Sequence, residues 1–486
     1  MESPQLVGVH LGTASVHVDV YSTDGERLAG DEAPVAEQTT LAWERALHEA
    51  APALPQTGIG SVASTSGTAV LVDKYGEPVF PPQMYFDSAP EQASKLRDLD
   101  LSGLSINQNI AFSPTSPLPK ILKLRAEHPE KFQRVEWILS PTTWLLYRLR
   151  FDASTPWRDI ETDWTNALKF GADVTTPLPT WFESLFETLD LPRSLFPAIR
   201  PPGSFIGVAD GQLAERTDFE GIKLFQGLTD GNASVLANGG VKPGDFSITF
   251  GASSVVKYVS ESVSPHPALY YHRHPIDGYL PGASFDTGNL LRWFFDRILN
   301  CTPERGLELA RQVPSGHGYE MFLKGNRSPF FDADVAGSLL GLNYDNSLST
   351  EEVHGRLARG LITGIILTEW TYISLVEEHF NTDIDRVLVI NDGTPTLDGN
   401  YDWWNTLRAS IWDRPVVEME PRTTAGAVMA PALITSIYSD VETAAENLLR
   451  ERDVIEPDPS VGADFNTQKE TYFDRWRDIA EFYQRE

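Results

Sequence analysis

The chain has 486 residues, 41% of them hydrophobic and 22% charged, which excludes a disordered protein and exceeds the usual length of a single compact domain. Its 68 acidic residues outnumber 39 basic ones, and the net charge of −29 argues against nucleic acid or an anionic lipid surface as a partner. Because the acids are scattered and only 11 basic residues are lysine, the pattern favours a halophilic surface, adapted to high intracellular salt, over a docking surface for a cationic ligand.

The single cysteine, Cys301, excludes an internal disulfide and a cysteine metal site, and it is expected to be a small buried residue. The first residues run directly into a predicted strand and show no signal-peptide pattern. The longest apolar stretch, residues 361–367, is too short to span a bilayer. These features predict a soluble cytoplasmic protein.

Strands and helices are predicted to alternate along the chain. In the first half, residues 6–10 and 16–21 are predicted to be short strands around a glycine turn, 61–73 to be interrupted strand, and 42–51, 119–127 and 142–149 to be helices. In the second half, strands are predicted at 246–250, 255–259, 387–390 and 416–419, and helices at 351–379, 401–412 and 425–437. This alternation predicts an α/β fold.

The N-terminal hairpin recurs in the middle of the chain. The turn GTAS at 12–15 aligns with GASS at 251–254, and each turn lies between two apolar strands. One such hairpin is a weak signal, but one at the start of each half predicts a duplicated domain. Two facing turns can hold a phosphate chain through backbone N–H groups and small hydroxyls. The predicted phosphate-binding residues are Gly12, Thr13, Ser15, Gly251, Ala252 and Ser253.

The strongest local signal surrounds Asp230, within GLTDGNAS at 227–234. The segment precedes a small-residue helix, and a carboxylate at a helix N-terminus is stabilised in its ionised form. One interpretation is an ordinary N-cap. The other is a base that activates a hydroxyl beside a transferable phosphate. The hairpins on either side favour the base.

These motifs, in this order and over nearly the whole length, resemble the FGGY carbohydrate kinases. The resemblance implies two ribonuclease H-like (actin-like ATPase) domains with a nucleotide cleft between them. It implies that residues 1–240 hold the sugar, the first phosphate hairpin and the catalytic Asp230, and that 241–486 hold the second hairpin and the adenosine site. It further implies ATP and Mg²⁺ as cofactors, with Asp230 contacting the metal through water.

Further motifs carry the resemblance. Tyr85-Phe86-Asp87 resembles the sugar-side element, 391–394 stands at the adenosine loop, and 424–427 resembles the small-residue helix near the adenine. The stretches 65–68, 163–169, 272–273 and 282–284 are similar to the D-ribulokinase-like and xylulokinase-like branch. This branch implies phosphorylation of the terminal hydroxyl of a ketopentose such as D-ribulose or D-xylulose.

Three positions depart from the family's pattern. His10 stands where Asp usually helps to hold hydrated Mg²⁺, and a neutral imidazole is a poor ligand for that hard cation. His10 is expected either to contact phosphate when protonated or to be a strand-end residue without a role. Ala252 replaces a usual Thr, and the adenosine loop has Asp392, Gly393 and Thr394 in place of a glycine run. Asp392 is expected to contact a ribose hydroxyl or to cap a turn.

The substrate residues leave alternatives open. Asp87 is the first choice for paired sugar hydroxyls, against a turn-capping role. Ser66 and Thr68 are expected in the same pocket, although turn chemistry also explains them. His272 and Arg273 are expected to pair with surface or interdomain carboxylates, or to bind a phosphate on the substrate. Trp164 is expected in the core rather than against the sugar.

The main expectation is therefore an ATP-dependent sugar kinase with a small-molecule sugar and ATP as its partners. Alternatives are a kinase for another polyol or for a pentose phosphate such as ribose 1-phosphate. Different in class are an actin-like nucleotide-binding protein without transfer activity and an inactive enzyme retained for a partner contact. The sequence leaves a homodimer open.

Overall fold

The structure is a computed structural model that describes residues 4–99, 108–332, 334–342, 345–391 and 401–484. Its first half contains β1 Gln5–Leu11, β2 Ser15–Tyr21, β3 Arg27–Pro34, α1 Thr40–Ala50, β4 Gly58–Ser64, β5 Val70–Val72, α2 Pro90–Arg97, α3 Gln108–Ala111, α4 Pro117–Glu127, α5 Pro129–Phe132, β6 Trp137–Leu139, α6 Pro141–Arg150, β7 Glu161–Asp163, α7 Trp164–Ala167, β8 Ala172–Asp173, β9 Thr180–Trp181, α8 Glu183–Thr188, β10 Ala198–Arg200, β11 Phe205–Val208, α9 Gln212–Arg216, β12 Lys223–Phe225, β13 Leu228–Thr229 and α10 Asp230–Ala237.

The second half contains β14 Phe246–Phe250, β15 Ser253–Tyr258, β16 Tyr270–Arg273, β17 Tyr279–Asp286, α11 Gly288–Arg297, α12 Pro303–Gln312, β18 Glu320–Phe322, β19 Ser338–Leu340, α13 Thr350–Phe380, β20 Val387–Asn391, α14 Tyr401–Trp412, β21 Val416–Met419, α15 Thr423–Ile434, α16 Val441–Leu448, β22 Glu451–Ile455, α17 Pro459–Gly462 and α18 Asn466–Tyr483. No helix in the described parts of the chain is both long and apolar enough to cross a membrane.

The two main sheets repeat one topology. The first has the order β11-β12-β4-β1-β2-β3, with β13 also paired to β4, and the second has the order β16-β17-β15-β14-β20-β21-β22. In each, an antiparallel ribbon starts the domain (β1-β2-β3 or β14-β15-β17), and its first strand pairs in parallel with a later strand (β4 or β20). The duplication predicted from the two hairpins is therefore present in the strand order.

Residue patterns explain which strands are central. β4 is buried along its whole length, as expected for a parallel strand covered on both faces, whereas β2 alternates partly buried and buried residues. The long α13 begins with a capping box between Ser349 and Glu352, and its middle turns are buried under the second sheet. The predicted helix at 351–379 is thus confirmed.

A shared apolar core joins the two halves. It contains residues of the first sheet, of α10, of α15 and of β20 and β21. Small residues allow the backbones to approach closely: a Cβ on Gly426 of α15 would lie 2.1 Å from the carbonyl oxygen of Ala233 in α10, and one on Gly8 would lie 2.2 Å from that of Thr424. The small-residue pattern of α15 therefore serves the packing between α10 and β1.

Candidate active site

Three parallel strands of the first sheet end side by side. Leu11 pairs with Ser64, and Ser64 pairs with Thr229, so the chain leaves β1, β4 and β13 at the same edge. The first phosphate turn, the segment after Ser64 and Asp230 follow directly from these ends. The carboxyl edge of parallel strands is the usual binding edge of an open α/β sheet. In the second sheet Phe250 pairs with Asn391, which places the second turn and the end of β20 at an equivalent edge.

The two turns are similar but differ in length. In the first, Leu11 pairs with Val16 and the N–H of Gly12 donates to the carbonyl of Ser15 at 3.0 Å. In the second, Phe250 pairs with Ser254 and the N–H of Gly251 donates to the carbonyl of Ser253 at 3.2 Å. The second turn is one residue shorter, so the residue-by-residue alignment of the two turns holds only in part.

Ser254, aligned above with Ser15, accordingly lies within β15 and is fully buried. Its hydroxyl donates to Glu369 at 3.4 Å. The carbonyls of Gly251 and Ala252 accept hydrogen bonds from the backbone N–H groups of Gly288 and Asn289. The start of α11 therefore holds the second turn in place.

Asp230 begins α10 but does not cap it. The N-cap is Thr229, whose hydroxyl accepts hydrogen bonds from the backbone and side-chain amides of Asn232. The Asp230 carboxylate accepts the N–H of Gly231 at 2.7 Å and the backbone N–H of Ser66. The ordinary N-cap interpretation is therefore wrong for Asp230, and its carboxylate remains partly accessible at the edge of the sheet.

Opposing effects act on the Asp230 carboxyl. Burial raises its pKa above the ordinary value, and the hydrogen bond from Gly231 and the charge of Lys169 oppose that rise. Burial likewise lowers the pKa of Lys169, and the charge of Asp230 opposes that fall. The two residues form a carboxylate–ammonium couple, and a base with a raised pKa is better matched to proton abstraction near neutral pH.

The segment 163–169 holds Asp230 in place. The buried carboxylate of Asp163 accepts from the backbone N–H groups of Thr165 and Asn166 and from both of their side chains. The Thr165 hydroxyl in turn accepts the backbone N–H of Thr229 at 2.9 Å. Asp163 thus orients Thr165, and Thr165 fixes the residue immediately before Asp230.

The segment 65–68 forms a turn beside Asp230. Ser66 reaches Asp230 through its backbone N–H, while the Thr68 hydroxyl is fully buried, bonded to Thr65 at 3.0 Å and to the backbone N–H of Tyr85 at 3.2 Å. Thr68 therefore joins this turn to the Tyr85-Phe86-Asp87 element. The Tyr85 hydroxyl accepts from Thr13 of the first phosphate turn at 3.4 Å.

Asp87 uses one carboxylate oxygen for its own turn. That oxygen accepts the backbone N–H of Met84 at 2.7 Å, as the turn-capping interpretation predicts. The buried ammonium of Lys120 donates to the carbonyls of Gly67 and Met84 at 3.0 and 2.6 Å, and burial lowers its pKa to about 8. Lys120 holds the two turns together, and the charge of Asp87 opposes the fall of the Lys120 pKa.

The surface-pairing interpretation is wrong for His272, and the neighbouring His274 also lies away from the surface. His274 is fully buried, bonds the Gly240 carbonyl at 3.0 Å, and has a pKa lowered by burial to about 4. His272 is partly buried, and burial lowers its pKa well below the ordinary value. Arg273 lies over the ring of Trp164 in the first half and approaches the exposed carboxylate of Asp277 at 3.8 Å, so it combines an interdomain ring contact with a surface carboxylate.

His10 lies against the first phosphate turn. A Cβ on Gly12 would be 3.5 Å from its ring, and the ring stacks on His17 with centroids 5.7 Å apart. Within the described residues, no group of three His, Cys, Asp or Glu side chains is placed to hold a metal ion. The nucleotide-loop residues Asp392, Gly393 and Thr394 lie outside the described residues.

A buried ion pair supports the second phosphate turn. Arg408 and Glu369 are both fully buried and meet at 2.5 and 2.9 Å, and Arg408 also donates to Asn391 at 3.4 Å. Because Glu369 accepts from Ser254 and Asn391 ends β20, the pair connects the second turn to the strand that leads into the adenosine loop.

A family model agrees with this geometry. Residues 7–237 match the N-terminal domain of the FGGY family of carbohydrate kinases. Residues 7–237 therefore form an N-terminal domain of the FGGY type. With the sugar-kinase relatives reported below, this match shows a carbohydrate kinase, and the expected α/β fold with two sheet-rich domains is confirmed.

Similar proteins include sugar and glycerol kinases. A xylulose kinase of Lactococcus lactis is 24% identical over 394 residues, covering 78% of this chain and 74% of its own, and a glycerol kinase of Thermus brockianus is 25% identical over 74% and 76%. Among solved structures, a xylulose kinase from Lactobacillus acidophilus has a TM-score of 0.81 at 18% identity over 99% of both chains. The ADP complex of Plasmodium falciparum glycerol kinase has a TM-score of 0.79 at 15% identity, over 99% and 98%.

Sequence reasoning missed three lysines of this kinase. Lys169 faces Asp230, Lys120 ties the two substrate-side turns, and Lys257 lies on β15 beyond the second phosphate turn. The scarcity of lysine could have identified them. In an acidic chain with only 11 lysines, a lysine inside a motif or a predicted buried strand is unusual and indicates a specific role.

Proposed function

We propose that this kinase transfers the γ-phosphoryl group of ATP to a sugar hydroxyl, with Asp230 as the general base. The observation that carries the proposal is the position of Asp230. Its carboxylate stands at the shared edge of β1, β4 and β13, beside the first phosphate turn, and is held by the N–H groups of Gly231 and Ser66. Asp230 takes the hydroxyl proton, the freed oxygen attacks the γ-phosphorus in line, and ADP leaves.

The two turns are proposed to hold the nucleotide phosphates. Gly12, Thr13 and Ser15 act on one side, and Gly251, Ala252 and Ser253 on the other, with 392–394 at the adenosine. Mg²⁺ would neutralise charge on the phosphate oxygens. The side chains near the turns fit a Mg²⁺ that would be held mainly by phosphate oxygens and water. Asp230 offers a carboxylate at the edge of β1, β4 and β13, whereas the imidazole of His10 is a poor ligand for this cation. His10 is proposed to face the phosphates instead.

The acceptor proposed from the relatives is a ketopentose, D-xylulose or D-ribulose. The xylulose kinases that cover most of this chain support it, and so does the turn network around Asp87. Asp87 keeps one carboxylate oxygen outside its turn bond for sugar hydroxyls, with Ser66 and Thr68 shaping the pocket wall. The domain boundary is proposed at residues 240 and 241, between α10 and β14.

ADP release tests this proposal. Purified protein in molar KCl with ATP and Mg²⁺ is assayed with D-xylulose, D-ribulose, glycerol, D-ribose and a phosphorylated pentose, and the product is identified by mass. Stimulation by one acceptor with a mass gain of one phosphoryl group supports transfer. Tight ATP binding without stimulation by any acceptor would contradict transfer and favour the actin-like protein without transfer activity.

A further inference from the structure

We propose that the sugar acceptor of this kinase carries an anionic group, a phosphate ester or a carboxylate. This group would be bound near Asp230 by Lys257 and His272 of the second sheet, here called the wall, and by Lys169 of the first half. The proposal rests on the proposed function, since it names the class of acceptor for the same site. It replaces the neutral ketopentose drawn from the relatives by an anionic sugar: a sugar phosphate, such as a phosphorylated ketopentose, or a sugar acid.

Lys257 is the observation that points to a ligand. Its side chain is 6% exposed, and its ammonium has no hydrogen-bond partner among the described residues. A buried cation without a counter-charge is costly, and native proteins almost always pair such groups. Burial, followed by the charge of Lys169, lowers the pKa of Lys257 well below its ordinary value. A bound anion would remove this cost by supplying the missing acceptor.

The fold gives Lys257 a defined direction. On β15 it pairs with Gly282 of β17, which pairs with Tyr270 of β16. The side chain crosses directly over Gly282, where a Cβ would lie 2.6 Å from Cδ and 3.0 Å from Nζ, and its ammonium reaches the Tyr270 ring at 4.1 Å. Only glycine leaves this path open, so Gly282 is part of the arrangement.

Neighbouring side chains complete the wall on the face of the sheet opposite the core. His272 follows Tyr270 at a spacing of two, and their ring centroids are 5.5 Å apart. The Nδ1 atom of His272 is also buried without a partner in the described structure. The Tyr270 hydroxyl bonds to Ser284 on the same face. Lys257 and His272 therefore both lie against the ring of Tyr270.

Lys169 brings this wall to the reaction centre. It belongs to the first domain, where its Nζ lies 3.4 Å from the position of a Cβ on Gly67, and its charge acts on Asp230, Lys257 and His272. An anion bound between Lys169 and Lys257 would therefore lie next to the proposed base. Multiple cationic and neutral donors suit a phosphate or carboxylate, whose oxygens each accept more than one hydrogen bond.

The phosphates of ATP are a less suitable ligand for Lys257. Ser253 at the second phosphate turn and Lys257 lie on the same face of β15, four residues apart, which is about 13 Å along a strand. Moreover, Lys257 points across β17 toward β16, whereas the second turn is flanked by β14 and β20 on the other side. The direction of the side chain therefore separates this anion from the nucleotide.

Matched pairs of sugars test the proposal with wild type and Lys257→Met, which keeps the length of the side chain but removes its charge. The pairs are D-ribulose and D-ribulose 1-phosphate, D-ribose and D-ribose 1-phosphate, and D-glucose and D-gluconate. We expect wild type to prefer an anionic member by at least about 10-fold in kcat/KM, and Lys257→Met to lose about 10- to 100-fold on that member alone. The KM for ATP should stay unchanged. The phosphate and gluconate pairs tell which anion is bound.

Two results would overturn the inference. Preference for a neutral sugar over every anionic partner would leave the kinase function standing and reject the anion site. A rise in the KM for ATP in Lys257→Met, with unchanged sugar preference, would assign Lys257 to the nucleotide. If no sugar is phosphorylated, the proposed function itself fails. Binding of the same anionic sugars to Asp230→Asn, measured by calorimetry with and without Lys257→Met, then decides the inference without turnover.

Discussion

Replacing Arg408 with Met should lower the free energy of unfolding of the second domain by about 3–5 kcal/mol, because it leaves a buried carboxylate unpaired. The Arg408 guanidinium and the Glu369 carboxylate are fully buried and joined by two hydrogen bonds of 2.5 and 2.9 Å. Met fills much of the space but leaves Glu369 without a counter-charge. Removing one partner of a buried pair costs about 3–5 kcal/mol in the free energy of unfolding.

The pH dependence of this loss follows from Glu369. Burial raises the pKa of Glu369, and the Arg408 charge opposes the rise. In Arg408→Met the opposing charge is gone, so the folded pKa lies further above the unfolded one and folding takes up a proton. The free energy of unfolding of the variant therefore falls as pH rises from the unfolded pKa of Glu369 to its raised folded pKa. The loss of stability relative to wild type is largest at neutral pH.

Urea unfolding in molar KCl, followed by tryptophan fluorescence at pH 7 and pH 5, measures both effects. The control is the double variant Glu369→Leu/Arg408→Met, which removes both charges and should recover most of the loss. A cost below about 1 kcal/mol for Arg408→Met, or a double variant as unstable as the single one, would refute the assigned role of the pair.

Three further predictions concern the cleft, the domain junction and the surface. Lys169→Gln removes a charge that holds the pKa of Asp230 down, so the acidic limb of the kcat/KM profile should move to higher pH, and an unchanged limb would contradict the couple. Gly426→Ala places a Cβ 2.1 Å from the Ala233 carbonyl oxygen, so it should lower the free energy of unfolding by about 1–3 kcal/mol and also lower kcat. The control is Gly231→Ala, whose new Cβ has no atom within 4 Å and which should leave the free energy of unfolding unchanged. With a net charge of −29, the midpoint of unfolding should rise steeply as KCl is raised from millimolar to molar, and a flat response would reject adaptation to high salt.

Local signals in the sequence identified the framework well. The two hairpins, the helix at 351–379 and the strand at 387–390 follow from short-range patterns that the structure repeats. Asp230 was singled out by the glycines and small residues around it. These features depend on neighbours in sequence, which is why one sequence is enough to see them.

Contacts between distant segments were not predictable in the same way. The pairing of Lys257 with Gly282 and Tyr270 depends on the register of three strands, and the couple of Lys169 with Asp230 joins residues 61 positions apart. The one-residue difference between the phosphate turns changed the role of Ser254 from a turn hydroxyl to a buried donor. Burial likewise reversed the surface expectation for His272, because hydropathy does not tell which polar residues become buried in the fold.

If Asp230 activates the acceptor hydroxyl, the Asp230→Asn variant loses that activation, and this variant is the most direct test of the proposed mechanism. Asn keeps the size of the side chain and an oxygen for the Gly231 N–H, but it cannot accept the hydroxyl proton. We expect kcat with the best acceptor to fall by about 100-fold or more, with ATP affinity and the urea midpoint close to wild type. Turnover near the wild-type rate in folded, ATP-binding Asp230→Asn would contradict the assignment of Asp230 as the base.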